Sequence, residues 1–297
     1  MNSTKNKKVL ITGASGMLGS NVCTAFNNIY SVTGTYNSCT SNISNTNNIK
    51  LDVSDKRSCK EVIAKIKPNV VIHCAAITDL EVCEVNTKLA FEVNAYGTKN
   101  VLDAIDRDCH FIYISTDNVY NNGKMFNREG AKKNTTNIYG ETKRKAEQII
   151  MKSKLKYTIL RTNIFGWSHA ENKSGFLNYI YDNLKDDNPI TLFHDVHYTP
   201  IGIPDFVSGM AEIIIQSITG TYNYGGYERI SKLDFGLIVA DIFKLDKRLI
   251  IPTSLDEKHF IAQRPKEMSM DSRKIFQYIP QPKEVRKQLA DLYSVVK

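Results

Sequence analysis

Tyr139 and Lys143 stand four residues apart in the run Tyr139-Gly140-Glu141-Thr142-Lys143. On a helix that spacing puts both side chains on one face, a turn apart. A tyrosine is a weak acid near neutrality because its ordinary pKa is about 10. An ammonium beside it favours the phenolate and lowers that value, and its other donors can hold a ribose hydroxyl. Such pairs are common on solvated helix faces, so the pair needs company. Thr116 supplies it, in Tyr113-Ile114-Ser115-Thr116-Asp117-Asn118-Val119-Tyr120. A hydroxyl ending an apolar strand could hydrogen-bond the carbonyl oxygen that Tyr139 protonates.

A second constellation lies near the start, where Val9-Leu10-Ile11 runs into Thr12-Gly13-Ala14-Ser15-Gly16-Met17-Leu18-Gly19. The spacing is Gly-x-x-Gly-x-x-Gly. Gly13 permits a tight turn, Gly16 lets a phosphate approach the backbone, and Gly19 lets helix and strand pack closely. A helix opening here would present free amides and a positive dipole end to a pyrophosphate. About 20 residues on, a site preferring NAD usually places an acid on the ribose 2′-hydroxyl. Here the stretch is Gly34-Thr35-Tyr36-Asn37-Ser38, with neither acid nor arginine. Nothing in it repels a 2′-phosphate, which favours NADP(H) while leaving NAD(H) open. The nearby acid is Asp52, in Leu51-Asp52-Val53. It could accept a hydrogen bond from adenine, or cap a helix from Ser54 onward.

These groups need a scaffold. Apolar, largely β-branched or aromatic runs recur at 9–11, 31–33, 48–51, 70–73, 111–114 and 157–160, with helical stretches at 19–26, 58–65, 88–105 and 139–153 between them. Strand and helix in alternation predict a doubly wound parallel α/β sheet, covered on both faces. Residues 38–48, rich in Ser and Asn, read as a surface loop. Residues 1–165 are expected to form the dinucleotide-binding domain, with a later strand and helix returning at about 200–225. From 166 to 297 the alternation weakens and prolines accumulate, as in a smaller, irregular α/β lobe against the sheet's carboxyl edge, where such sheets bind ligands. A strand-like piece at 220–224 and a helix at 232–243 belong to this half.

Composition narrows the class. The 297 residues are 42% hydrophobic and 24% charged, the mix of an ordinary globule. No run approaches the ~20 apolar residues of a membrane span, and the apolar stretch before Gly13 is too short for a signal-peptide core. The six cysteines form no C-x-x-C pair and no zinc-spaced cluster with histidine, as expected of a reduced cytoplasmic chain without a structural metal. The net charge of +8 suits an anionic ligand. The lysines are scattered and form no stripe interleaved with aromatics, which argues against nucleic acid.

Taken together, TGASGMLG (12–19), LDVSD (51–55), AAITDLEVCE (75–84), VNAYGT (93–98), YISTDNVY (113–120), YGETKRKAE (139–147), LRTNIFG (160–166), GTYNYGG (220–226) and RP (264–265) stand in one family's order. The chain resembles the extended short-chain dehydrogenase/reductases, and within them the dTDP-4-dehydrorhamnose reductase-like family. The resemblance implies a Rossmann sheet and hydride transfer from a nicotinamide to the C4 ketone of a nucleotide-linked 6-deoxyhexose. It makes Tyr139 the proton donor, Lys143 its partner and ribose anchor, and Thr116 the stabiliser of the reacting oxygen. Gly13, Ser15, Gly16, Met17, Leu18 and Gly19 would cradle the pyrophosphate, Asp52 and Val53 the adenine, and Ala75, Ala76 and Thr78 the nicotinamide side. Tyr36, Asn94 and Asn163 complete the implied cofactor set. Thr78, Thr116, Asp117, Asn118, Trp167, Asp195 and Arg264 form the implied substrate set. A homodimer is compatible with the family.

Some positions depart from the pattern. Ile164 stands where the family often has an aromatic, and Trp167 follows three residues later. Trp167 could stack on base or sugar, or pack at a lobe interface. Asp195 matches a family loop acid loosely. Arg264 could bind phosphate or be a surface ion-pair partner, and His194 and His197 read as loop histidines. A dehydratase would need a carboxylate where Asn118 stands. Epimerisation would draw on Cys83, otherwise a packing cysteine. A non-catalytic NADP-binding regulatory subunit would keep the glycine turn, but nothing would then require Thr116, Tyr139 and Lys143 together.

Overall fold

The apolar runs of the first half do pair side by side. In the computed structural model, which describes residues 6–38, 46–121, 123–168 and 175–295, they are β1 (Lys8–Thr12), β2 (Ser31–Tyr36), β3 (Asn47–Lys50), β4 (Val70–His73), β5 (His110–Thr116) and β6 (Tyr157–Thr162). Short strands follow: β7 (Ile164–Phe165), β8 (Ile190–Phe193), β9 (His197–Tyr198), β10 (Ile201–Gly202), β11 (Gly220–Asn223), β12 (Ile230–Ser231) and β13 (Ile250–Thr253). Seven strands form one sheet in the order β11-β6-β5-β4-β1-β2-β3, and every pairing in it is parallel. The doubly wound α/β sheet is as expected, and β11 returns to its edge from the second half.

The helices are α1 (Met17–Phe26), α2 (Lys56–Ile66), α3 (Leu80–Val85), α4 (Thr87–Phe91), α5 (Gly97–Leu102), α6 (Ile138–Lys152), α7 (Phe176–Lys185), α8 (Ile203–Gln216), α9 (Lys232–Phe243) and α10 (Val285–Ser294). Alternate residues of β1 and β4 face opposite layers. Val9, Ile11, Val70 and Ile72 pack under α1 and α8. Leu10 and Val71 pack with Phe111, Tyr113 and residues of α2, α5 and α6. Burying both faces stabilises by about 1.5–3 kcal/mol per large aliphatic side chain. A third cluster, built on α7, α9, α10, β8 and β13, is the core of the smaller lobe. Among the described residues no helix is long and apolar enough to cross a membrane.

Two local readings change. The single helix expected over 88–105 is α4, a π-turn at Glu92–Tyr96 and α5, preceded by the separate α3. Asn94 sits in the π-turn, and its side chain bonds outside the helix, which no periodicity records. The polar stretch expected as a loop over 38–48 ends in strand: Asn47 and Asn48 pair with Thr33 and Gly34, because pairing to β2 outweighs polar composition. Residues 39–45 of that stretch, Cys39 among them, lie outside the described residues. Cys23, Cys59, Cys74, Cys83 and Cys109 are free thiols.

Candidate active site

The glycine turn closes at the carboxyl end of β1. Gly13 has φ +69°, and a Cβ there would lie 2.8 Å from the backbone of Ala75, so the turn and the segment after β4 are in close backbone contact. A Cβ on Gly19 would lie 2.2 Å from the Gly13 carbonyl oxygen, which holds α1 tight against the turn. The Ala14 amide donates to the Thr35 carbonyl (2.8 Å), tying the turn to β2. Gly16 precedes α1 without a side-chain cap, and the helix has no acid in its first turn. Uncapped amides at a positive dipole end suit an anion.

The segment 74–78 is held from behind. Asn94 accepts from the Ile77 amide (2.7 Å) and donates to the Ile77 carbonyl (2.9 Å) and to Thr142 (3.0 Å). It is a positioning residue rather than a cofactor contact. His73, buried, bridges Thr12 (2.7 Å) and Thr98 (3.2 Å), and burial lowers its pKa to about 3, so the imidazole is neutral.

At the end of β5, Thr116 caps the turn Asp117–Val119. Helix α6 starts on Asn137, whose side chain accepts from the Gly140 amide (2.8 Å). Gly140 rests on that turn, since a Cβ there would lie 2.6 Å from the Asn118 carbonyl oxygen. This contact brings the Tyr139 phenol close enough to Thr116 for the two groups to interact. The Thr116 hydroxyl donates to Asp117 Oδ1 (3.2 Å). Asp117 is buried and also accepts from Asn118 Nδ2 (3.0 Å) and Asn163 Nδ2 (2.6 Å). Burial raises its carboxyl pKa, opposed by the Asn163 bond and the Lys232 charge.

Lys143 is buried one turn along, with Nζ 4.1 Å from the centre of the Tyr113 ring. Desolvation pushes its pKa down to about 7, against the charges of Cys74 and Glu147. The acidification expected of Tyr139 is not what these surroundings give. Burial raises the phenol, the neighbouring Thr116 only partly offsets this, and Asp117 and Cys83 raise it further. Lys143 is buried, while Tyr139 keeps partial exposure.

Residues 7–297 match the family model described as the RmlD substrate binding domain. The chain belongs to this family. Among curated proteins it is similar to methionine adenosyltransferase 2 subunit beta of Bos taurus, 25% identical over 279 residues that cover 91% of this chain and 82% of the relative. It is also similar to the probable low-salt glycan biosynthesis reductase Agl14 of Haloferax volcanii, 26% identical over 272 residues and 88% of each chain. A hypothetical dTDP-4-dehydrorhamnose reductase from Sulfolobus tokodaii superposes with a TM-score of 0.82 at 29% identity, covering 94% of this chain and 98% of that one. The dTDP-4-dehydrorhamnose reductase of Bacillus anthracis, solved with NADP, shares the fold at a TM-score of 0.84 and 24% identity, over 98% and 99% of the two chains.

Several residues expected at the site of this RmlD-family chain are engaged elsewhere. Trp167 donates to the Leu292 carbonyl (3.1 Å) and meets Tyr181 and Phe243 edge to face, 5.2 and 5.7 Å between ring centres. It is a lobe-core aromatic. Asp195 accepts from the Leu255 amide (2.9 Å), Ser254 (2.7 Å) and Lys266 (3.0 Å). Burial opposes its ionisation, but those bonds outweigh it and lower the carboxyl to about 2. Arg264 pairs with Glu81 (2.8 Å) and lies 3.5 Å over the Phe260 ring, taking the ion-pair alternative. Asp52 accepts from the Ser54 amide (2.9 Å) and hydroxyl (2.7 Å), while Asp55 is the residue that caps α2. Thr78 is exposed, Ser15 and Tyr36 are half-buried, and Val53 is buried against Gly97.

One group was not anticipated. Lys232, first residue of α9, has Nζ 3.5 Å from the Tyr198 ring centre and 4.5 Å from that of Phe176. Desolvation lowers its pKa to about 8, with the charge of Asp117 opposing. A lysine ahead of an apolar helix carries no local signal of this, since its neighbours come from β9, α7 and the turn after β5.

Proposed function

We propose that this chain reduces the 4-keto group of a nucleotide-linked 4-keto-6-deoxyhexose, with NADP(H) as favoured cofactor and NAD(H) as an alternative. The observation that carries the reading is the convergence of Tyr139, Thr116 and the buried Asp117 at the same sheet edge as the glycine turn. The turn fits a dinucleotide: Gly13 and Gly16 leave backbone exposed, α1 offers uncapped amides, and no acid opposes a pyrophosphate. The nicotinamide, when bound, supplies the hydride. The protein supplies the proton and the orientation. A raised phenol pKa keeps Tyr139 loaded with its proton throughout the physiological range, ready for the oxyanion at C4. Thr116, fixed by Asp117, orients that phenol. Lys143 below about pH 7 adds a positive charge that favours the phenolate left behind. The reading implies a reaction in the cytoplasm, on a nucleotide sugar.

The test is NADPH absorbance on adding a 4-keto-6-deoxy sugar nucleotide, for wild type and Tyr139→Phe. The variant is expected to bind cofactor and to lose about 10²–10⁴-fold in rate, the range for a general acid. Equal consumption by both removes the assignment. A second reading has a specific observation behind it. Cys83 lies near the phenol, its thiol donating to the Ile77 carbonyl (3.5 Å), which supports an added epimerase step on the same ketone. Deuterium uptake from solvent beside C4, lost in Cys83→Ser, would reveal it. The similarity to a subunit of methionine adenosyltransferase supports a non-catalytic alternative, which predicts dinucleotide binding with no turnover of any keto sugar.

A further inference from the structure

Strands β2 and β3 end together at the carboxyl edge, and their register sets Tyr36 beside Lys50 and Gly34 beside Asn48. A Cβ on Gly34 would meet Ala14 of the glycine turn at 2.8 Å and Asn48 Oδ1 at 2.9 Å. Gly34 and Asn48 therefore face the layer of α1 and the turn. Two residues on, Tyr36 and Lys50 face the same way, because strand side chains repeat with period two. The neighbours of Lys50 agree. Ile49 lines a cavity with Lys65 and Ile66 of α2, and Leu51 packs with Cys59 and Ile63 of α2, both on the opposite layer.

Lys50 is exposed and, among the described residues, in no ion pair with a carboxylate. Asp52, the acid that follows β3, turns Oδ1 to Ser54. Where the reading above lays a dinucleotide along this edge, its adenosine ribose comes to the end of β2. Among the described residues, a group facing the 2′ position from the turn's side meets the Lys50 cation, carried by the neighbouring strand rather than by β2 itself.

We propose that Lys50 recognises the 2′-phosphate of NADP and so sets the preference for NADP over NAD; this rests on the dinucleotide-binding reading. A lysine serves a phosphate as a point charge, and reaching it from β3 explains how the end of β2 can lack both acid and arginine.

Titrating the full chain with NADPH and NADH separates the two claims. Wild type binds NADPH more tightly. Lys50→Ala weakens NADPH about 10- to 100-fold, the range for losing a charge-assisted hydrogen bond, and leaves NADH unchanged. Lys50→Arg restores NADPH binding, and Lys50→Glu reverses the preference. Added salt weakens NADPH more than NADH in wild type, and the difference disappears in Lys50→Ala. If wild type binds neither nucleotide, the dinucleotide reading fails and this proposal with it. Should wild type bind both equally, or Lys50→Ala change both or neither, Lys50 has no such role while the dinucleotide site stands.

Discussion

Gly140 and the Asn118 carbonyl are packed so closely that a methyl group on Gly140 would sit 2.6 Å from the oxygen. The first turn of α6 thus lies directly on the turn that follows β5, and the closeness of Tyr139 to Thr116 depends on that approach. The glycine between the tyrosine and its lysine is a spacing requirement of the site.

Gly140→Ala should push α6 away from residues 117–119. Displacing a donor by about 1 Å can cost ~10²-fold in rate. We expect kcat to fall at least tenfold while NADPH binding persists, together with a lower Tm. Steady-state kinetics and a thermal melt check both, and an alanine variant with wild-type kcat would show that the close contact is irrelevant to catalysis.

Lys143 carries a stability signature with a definite sign. Its pKa is about 7 in the folded chain against an ordinary value of 10.5. Between those pH values the unfolded chain binds the extra proton, so the burial penalty is full below about pH 7 and fades as pH rises to 10.5. Relative to Lys143→Met, wild type should gain stability from pH 7 to 10, on the order of a few kcal/mol. Urea titrations of both proteins along that range measure it, and parallel pH profiles would contradict it.

Behind the site, Glu147 is fully buried and holds Arg161 through two bonds of 2.8 Å, with Ser115 (2.7 Å) and Lys133 (3.1 Å) on the same carboxylate. Arg161→Met would leave that carboxylate largely uncompensated under β5. Breaking one side of a buried pair costs about 3–5 kcal/mol, and the denaturation midpoint should drop accordingly. A change below ~1 kcal/mol would mean that Lys133 and Ser115 suffice.

Trp167 separates core from substrate wall. Because its ring packs on Tyr181 and Phe243 and its N–H reaches Leu292, Trp167→Ala should lower Tm and leave KM for the sugar nucleotide unchanged. A raised KM at undiminished Tm would return it to the binding site.

The periodic apolar runs and the glycine turn made the parallel sheet legible, because both are local: strand burial on two faces and a tight turn before a helix leave their mark within a few residues. The spacing of Tyr139 and Lys143 was legible for the same reason. Boundaries such as 47–48 and the π-turn at Glu92–Tyr96 were hidden, since they answer to a neighbouring strand and to an amide at Ile77.

What the linear order of residues determined by itself is the set of elements and the identity of the chemical groups at the sheet edge. Only the folded chain decided how those groups are charged and which of them meet. A pKa follows from burial and from neighbours distant in sequence, so Tyr139 came out raised and Lys143 lowered. The same reason took Arg264, Asp195 and Trp167 away to partners in the lobe and brought Lys232 toward Asp117.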